Sequence, residues 1–222
     1  MIGIIDSGIG GRGIEKEIHQ LLPDVKTIYL ADRKNFPYGT KSVRKLNKIL
    51  AENCQKLIKK DAQIIVLACN SATVSSIRYL RKRFNFPIIG VEPAIKPAAK
   101  ITKTKNIAIF ATPITSKSEA TDSLIQKYCR DITVYKIPFK HLASQIERGE
   151  TVNLTSEVRS VWGEYQDKNI DVIVLGCTHY TLIKNDIQKI VGQKIKIIDS
   201  NLAVARQVKK VYDKFERNYG GK

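Results

Sequence analysis

What this 222-residue chain lacks narrows its reading first. No apolar run approaches the length that crosses a bilayer, so a membrane-spanning protein is not expected. No basic segment precedes an apolar one at the N-terminus, where Met1 leads straight into a strand-like run, so no signal peptide is expected. The cysteines are only Cys54, Cys69, Cys129 and Cys177, too few at this length for a disulfide framework. Reduced thiols in the cytoplasm are the reading that follows. No Cys/His group has zinc-ligand spacing and no lysine stands out for a Schiff base, so neither metal nor other cofactor is expected. Acidic side chains are scarce too: 21 against 38 Lys and Arg, a formal net charge of +17. The lysines are scattered, however, with no arginine-rich tail and no interleaved aromatics. That pattern reads as a solvated surface and argues against a dedicated nucleic-acid face. Attraction of an anionic substrate would follow either way.

What is present is a globular composition, 43% hydrophobic, in which short Ile/Val-rich runs alternate with amphipathic segments. This is the pattern of an α/β protein with a parallel sheet, whose strands are covered on both faces and so read as continuous apolar runs. The chain is also written twice. IGIIDSGIG from Ile2 pairs with IAIFATPIT from Ile107, and VKTIYLADR from Val25 with ITVYKIPFK from Ile132. IIVLACNSAT from Ile64 pairs with VIVLGCTHYT from Val172, and FPIIGVEPA from Phe86 with KIKIIDSNLA from Lys194. Four pairs at nearly one offset predict two similar parallel-sheet α/β domains related by a pseudo-twofold axis, with the active site in the cleft between them. The boundary is read near Val91 to Lys105, where EPAIKPAAKITKTKN carries two prolines and several lysines. Residues 1–95 with 205–222 form one expected domain and 96–204 the other. The final segment, Asn201 to Tyr219, reads as a helix returning to the first domain.

Ligands of open parallel sheets bind beyond the carboxyl ends of the strands. The residues there are Asp6-Ser7, Asp32, Cys69-Asn70-Ser71, Glu92, Thr112 to Thr115 and Cys177-Thr178-His179. Cys69 and Cys177 occupy equivalent positions of the repeat, each ending an apolar run and each followed by residues that suit a helix start. Helix N-termini favour thiolates. Two such thiols suit inversion of a stereocentre with an acidic C–H: one removes the proton from one face, the other returns a proton to the opposite face. Cys54 and Cys129 read as core residues, and His19 and His141 carry no role.

These residues also resemble a known family, the cofactor-independent glutamate racemases of the aspartate/glutamate racemase superfamily. The resemblance runs through IGIIDSGIGG, ADRKNFPYGTKS, VLACNSAT, IIGVEPAIKPA, VLGCTHYTL and IIDS, in that order. It implies that Cys69 and Cys177 are the acid/base thiols, that Asp6, His179 and Glu147 assist them, and that Asp6, Ser7, Tyr38, Gly39, Asn70, Ser71, Thr115, Thr178 and His179 hold the substrate. It further implies glutamate as the small-molecule substrate, a homodimer as an admissible assembly, and D-glutamate for bacterial peptidoglycan as the product. The chain departs from the family pattern at Ser71, at Arg12-Gly13, at Thr181 and at Ile137-Pro138, none of which removes a catalytic group.

Two other readings bear on the same residues. Gly8, Gly10 and Gly13 stand in the spacing G-x-G-x-x-G, and Asp32 ends the next strand where a ribose-binding carboxylate would sit. Against a dinucleotide, Asp6-Ser7 separates the strand from the first glycine, and its carboxylate would repel a pyrophosphate at the helix N-terminus. The glycines then read as a loop that lets backbone approach a small ligand. Outside glutamate racemisation, the alternatives are an aspartate racemase, or a basic nucleic-acid- or partner-binding protein with a vestigial racemase site. Turnover of the two amino acids separates the first, and a salt-sensitive shift with DNA without turnover would mark the second.

Overall fold

The computed structural model describes the backbone of residues 1–219 and the side chains of 1–150 and 155–217. It divides into two compact units, Met1–Val91 joined by the chain from Asn201 onward, and Glu92–Ser200. In the first, β1 (Ile2–Asp6), α1 (Arg12–Leu21), β2 (Thr27–Ala31), α2 (Val43–Ile58), β3 (Ile64–Leu67), α3 (Asn70–Arg83) and β4 (Ile88–Gly90) follow one another. The four strands are all parallel, in the order β2-β1-β3-β4. The second unit contains α4 (Ile95–Ile101), β5 (Asn106–Ala111), α5 (Pro113–Ser116), α6 (Glu119–Tyr128), β6 (Thr133–Pro138), α7 (Leu142–Arg148), α8 (Thr151–Gly163), β7 (Val172–Gly176), α9 (Lys184–Val191) and β8 (Lys196–Ile198). Its sheet repeats the first, parallel throughout in the order β6-β5-β7-β8. The expected pair of parallel-sheet α/β domains is therefore present, and every segment of the written repeat contains a strand.

Burial on both faces explains the apolar runs. Every residue of β1, β3 and β7 is buried. On one face of the first sheet, Ile14 and Ile18 of α1 pack with Val204, Ala205 and Val208 of the last helix, α10 (Asn201–Tyr219). Covering a valine such as Val208 in this way contributes roughly 1.5–3 kcal/mol. The second unit has an aromatic cluster, in which Phe110 lies 5.0 Å from Phe139 and 5.9 Å from Trp162 between ring centroids. Ser42 and Ser118 cap α2 and α6 by accepting from the N–H groups of Lys45 and Thr121.

The segment read as a boundary is not an extended linker. Its central part is α4, which packs Ile95 and Ala98 into the core of the second unit. Pro97 is tolerated because it lies in the first turn, where N–H groups have no intrahelical acceptor. The loop after α4 is tied down by Asp171, just before β7. Its carboxylate accepts from the Thr102 hydroxyl at 2.6 Å and from the N–H groups of Lys103 and Thr104 at 2.6 and 3.2 Å. Partial burial pushes the Asp171 pKa up, but these donors outweigh it and hold the carboxyl below its ordinary value. A depressed folded pKa contributes stability that is full above the unfolded value and lost as pH falls through the folded one. An Asp171→Ala variant is therefore expected to melt several degrees below the wild type near pH 7. The gap should narrow as pH drops below about 4. Calorimetric melts across pH 2–7 would test this, and a gap independent of pH would refute it.

Candidate active site

In the first unit the site residues gather at the carboxyl end of β1 and β3. Ile5 pairs in register with Leu67, and the Ala68 N–H donates to the Ile5 carbonyl at 2.8 Å. This sets Asp6, the last residue of β1, beside the segment that carries Cys69. Cys69 is extended (φ −138°, ψ 121°) and immediately precedes α3, whose first bond runs from the Thr73 N–H to the Cys69 carbonyl at 2.9 Å. The thiol thus stands at the end of a helix whose first N–H groups lack intrahelical acceptors. Asp6, Ser7, Asn70 and Ser71 are all buried.

One Asp6 oxygen, Oδ2, accepts from the Gly11 N–H at 2.9 Å and lies 3.3 Å from the Tyr29 hydroxyl. The other, Oδ1, is buried with no hydrogen-bond partner among the described residues, as is Nδ2 of Asn70. The glycine-rich loop does make a close backbone approach, but the tight residue is Gly11 and its neighbour is protein. A Cβ at Gly11 would meet the Ala68 Cβ at 2.7 Å and the Tyr29 hydroxyl at 3.0 Å. Gly11, which stands outside the Gly8, Gly10 and Gly13 pattern, packs the Asp6 loop onto the Cys69 segment.

Tyr38 and Gly39 lie in a 3-10 turn, Tyr38–Thr40, anchored through Asp32. Asp32 accepts from the Tyr38 hydroxyl at 2.8 Å, from Nδ2 of Asn53 at 2.9 Å and from Nδ2 of Asn35 at 3.0 Å. Both Asp32 oxygens are thereby engaged inside the protein, where they anchor the turn that carries Tyr38. Burial, followed by the Asp32 charge and hydrogen bond and then by Cys69 and Asp6, pushes the Tyr38 pKa well up. Tyr38 therefore stays a neutral hydroxyl within electrostatic reach of both Cys69 and Asp6.

In the second unit, Cys177 follows β7 with nearly the same backbone as Cys69 (φ −144°, ψ 132°). The expected helix start is absent here. A 3-10 turn, Thr178–Ile183, follows instead, opened by the Tyr180 N–H donating to the Cys177 carbonyl at 3.1 Å, and only then does α9 begin. The reason is packing: Tyr180 is fully buried, with its ring 5.8 Å from Phe139, and the tighter turn delivers it inward. Burial, with Cys177 the next contributor, pushes the Tyr180 pKa far up. His179 turns towards α7, where its Nε2 lies 2.9 Å from Oε2 of Glu147, both side chains largely buried. Gly149, left-handed at φ 71°, ends α7 just past Glu147. Oγ1 of Thr178 is buried without a partner. Thr115, fully buried in α5, accepts from the Thr112 hydroxyl at 3.1 Å. The Glu92 side chain is exposed, and its backbone carbonyl accepts from the Ser200 hydroxyl at 2.5 Å.

The remaining cysteines and histidines differ in kind. Burial pushes the Cys54 thiol up to about 12 and raises that of Cys129. His19 lies 2.9 Å from the Thr27 hydroxyl, and His141 precedes α7 as an exposed residue. The sequence reading missed Tyr29 and Asn53, which contact Asp6 and Asp32 across 23 and 21 residues of chain. No spacing rule connects such partners; only strand pairing and the seating of α2 bring them together.

The chain is thus a duplicated α/β protein with a cysteine-ended central strand and buried, unpartnered polar atoms in each half. The family model for Asp/Glu/Hydantoin racemase matches residues 11–208. The chain belongs to this racemase family. It is 38% identical over 218 residues to glutamate racemase from Clostridium acetobutylicum, covering 97% of this chain and 85% of that protein. Escherichia coli glutamate racemase, solved with L-glutamate and the activator UDP-MurNAc-Ala, superposes with a TM-score of 0.89 at 29% identity, over 96% of this chain and 82% of that one. The Francisella tularensis glutamate racemase, solved with D-glutamate, gives 0.82 at 32% identity, over 98% and 81%. Among the described residues no helix is long and apolar enough to cross a membrane.

Proposed function

We propose that this protein interconverts L- and D-glutamate by a two-base proton transfer through Cys69 and Cys177, without a cofactor. The observation that carries the reading is the repetition itself: a cysteine follows the third strand of each sheet, with matching backbone conformation and a neighbouring buried polar atom that lacks a partner. In each turnover the thiolate of one cysteine takes the Cα proton, and the electron pair passes into the α-carboxylate. The thiol of the other cysteine then gives its proton to the opposite face of Cα, leaving its own thiolate. One C–H bond breaks and one forms, and the two sulfurs exchange protonation states. The reverse reaction uses the same groups in opposite roles.

The surrounding groups suit an amino-acid zwitterion. Asp6 Oδ1 is an acceptor for the ammonium, while Asn70 Nδ2 and the Thr178 hydroxyl are donors for carboxylate. Ser7, Tyr38, Gly39, Ser71 and Thr115 complete the binding set in this reading. Asp6 on the Cys69 side, and His179 with Glu147 on the Cys177 side, assist proton movement at the sulfurs. Glutamate is favoured over aspartate because the relatives compared above act, by name, on glutamate. D-glutamate for peptidoglycan, made in the cytoplasm, is the role that accompanies this activity.

The test is incubation with L-glutamate in D2O with no added cofactor. The Cα–H resonance is followed by NMR and the optical signal by circular dichroism. Loss of the proton together with decay of ellipticity to zero is the expected result. Turnover of aspartate in place of glutamate would reassign the substrate. No exchange with either amino acid, with the thiols reduced, would refute the reading.

A further inference from the structure

We infer that Tyr29 is a positioning residue for Asp6, held in that role by Arg12, an inference that rests on the racemase reading of the Cys69 half-site. The motifs that carry the family resemblance assign Tyr29 nothing, and Arg12 stands at a position where the chain departs from the family pattern.

Tyr29 lies in β2, opposite Ile4 of β1 in the parallel register. Its hydroxyl donates to the Gly8 carbonyl at 2.9 Å and lies 3.3 Å from Asp6 Oδ2, the oxygen already bound by the Gly11 N–H. The single Tyr29 proton is shared between the nearer Gly8 carbonyl and Asp6 Oδ2, so the Gly11 N–H makes the main bond to this oxygen and Tyr29 the weaker branch of a bifurcated one. That arrangement fixes the rotation of the carboxylate and leaves Oδ1, buried and unpartnered, as the atom presented to a ligand. The same hydroxyl ties the Gly8 backbone to β2, so the loop that follows Asp6 cannot drift from the sheet without breaking this bond. Burial, and after it the Asp6 charge, raises the Tyr29 pKa far above its ordinary value, so the hydroxyl remains a donor at any working pH.

Arg12, the first residue of α1, lays its guanidinium 4.0 Å from the centroid of the Tyr29 ring and pairs with Glu15. Glu15 in turn accepts from the Thr27 hydroxyl at 3.1 Å, on the same strand as Tyr29. A chain of contacts thus runs from the half-exposed Arg12, through the ring, to the buried carboxylate. A guanidinium over a ring at an exposed site is worth enough to restrain the ring by a factor of roughly two to five.

The measurement is racemisation of glutamate in both directions by Tyr29→Phe, Arg12→Ala and the double variant, with Asp6→Asn as reference, using Cα-deuterated and ordinary substrate. L- and D-glutamate are mirror images, so the equilibrium constant is one and kcat/KM must fall equally in both directions for any variant. The isotope effects carry no such constraint. Raising only the barrier at Cys69 increases the effect for the enantiomer that Cys69 deprotonates and decreases it for the other. Tyr29→Phe is expected to lower kcat about tenfold, to raise KM a few-fold because Oδ1 is also the ammonium acceptor, and to split the isotope effects in the same sense as Asp6→Asn. Arg12→Ala should give the same split with a loss of about two- to fivefold. In the Tyr29→Phe background Arg12→Ala should add nothing to the loss, because the hydroxyl through which it acts is gone. A lower melting temperature with unsplit isotope effects would overturn the inference and leave Tyr29 a structural residue. Should Tyr29→Phe fail to fold, Arg12→Ala decides alone, and unsplit effects there overturn the inference equally. Failure of the wild-type enzyme to racemise glutamate overturns the parent reading and this one together. Normal wild-type turnover with unsplit effects overturns this one only.

Discussion

Replacing either Cys69 or Cys177 with serine is expected to lower kcat/KM for glutamate racemisation by at least about a thousandfold, equally in both directions. A serine hydroxyl ionises far less readily than a thiol, so it serves poorly as base and leaves the partner thiol without a route to complete the inversion. The two variants should nevertheless differ from one another. Each retains one working thiol, which can still remove and return the Cα proton of the single enantiomer that presents it. In D2O, Cys69→Ser is expected to exchange the Cα–H of one enantiomer without inverting it, and Cys177→Ser that of the other. NMR on separate L- and D-glutamate samples reads this directly. The melting temperature should change little, since the substitution exchanges one small buried group for another of similar size. Wild-type turnover by either variant would sink the two-thiol mechanism. Exchange of the same enantiomer by both variants would contradict the assignment of one cysteine to each face.

Asp32→Ala is expected to cost the first unit about 2 kcal/mol of stability and to raise KM for glutamate about tenfold. Asp32 is the common acceptor for Asn35, Tyr38 and Asn53, and Lys56 supports Asn53 from the far side through a 3.1 Å bond to its Oδ1. Tyr38 and Asn53 are 1% and 2% exposed, and removal of the carboxylate strands the Tyr38 hydroxyl away from water while Asn53 Nδ2 keeps only the Tyr38 oxygen, at 3.3 Å, as an acceptor. A stranded buried donor costs about 1–3 kcal/mol, far more than the net value of a hydrogen bond lost at the surface. The binding effect follows from geometry, because the same bond holds the turn that carries Gly39. Tyr38→Phe makes the contrast: it removes a donor instead of stranding one, and should cost only about 1 kcal/mol. Urea unfolding of the two variants, with KM alongside, would check the ranking. An Asp32→Ala variant as stable as Tyr38→Phe would show that the network is not what anchors the turn.

Much of this was legible in the chain. Ile64–Leu67 and Val172–Gly176 are wholly apolar because both faces of a parallel strand are covered, and that alone announced the sheets. The repeat alone marks Cys69 and Cys177 as equivalents. Other features were legible only through the family resemblance. Glu147 stands in QIERG as one carboxylate among many, and nothing local shows that it will lie 2.9 Å from His179, 32 residues away. The turn after Cys177 departs from the sequence expectation because Thr178-His179-Tyr180 has helix-start chemistry, whereas burial of the Tyr180 ring against Phe139 selects the tighter 3-10 geometry.

By itself, then, the sequence determined the class of fold, the duplication and the equivalence of Cys69 and Cys177, because hydrophobic periodicity and internal repetition are properties of the chain read in order. The tertiary structure alone decided which polar groups serve each other: Tyr29 on Asp6, Asn53 on Asp32, Glu147 on His179. Hydrogen bonds of this kind act over about 3 Å between residues far apart in the chain. Their partners are set by strand register and helix seating, which no local pattern encodes.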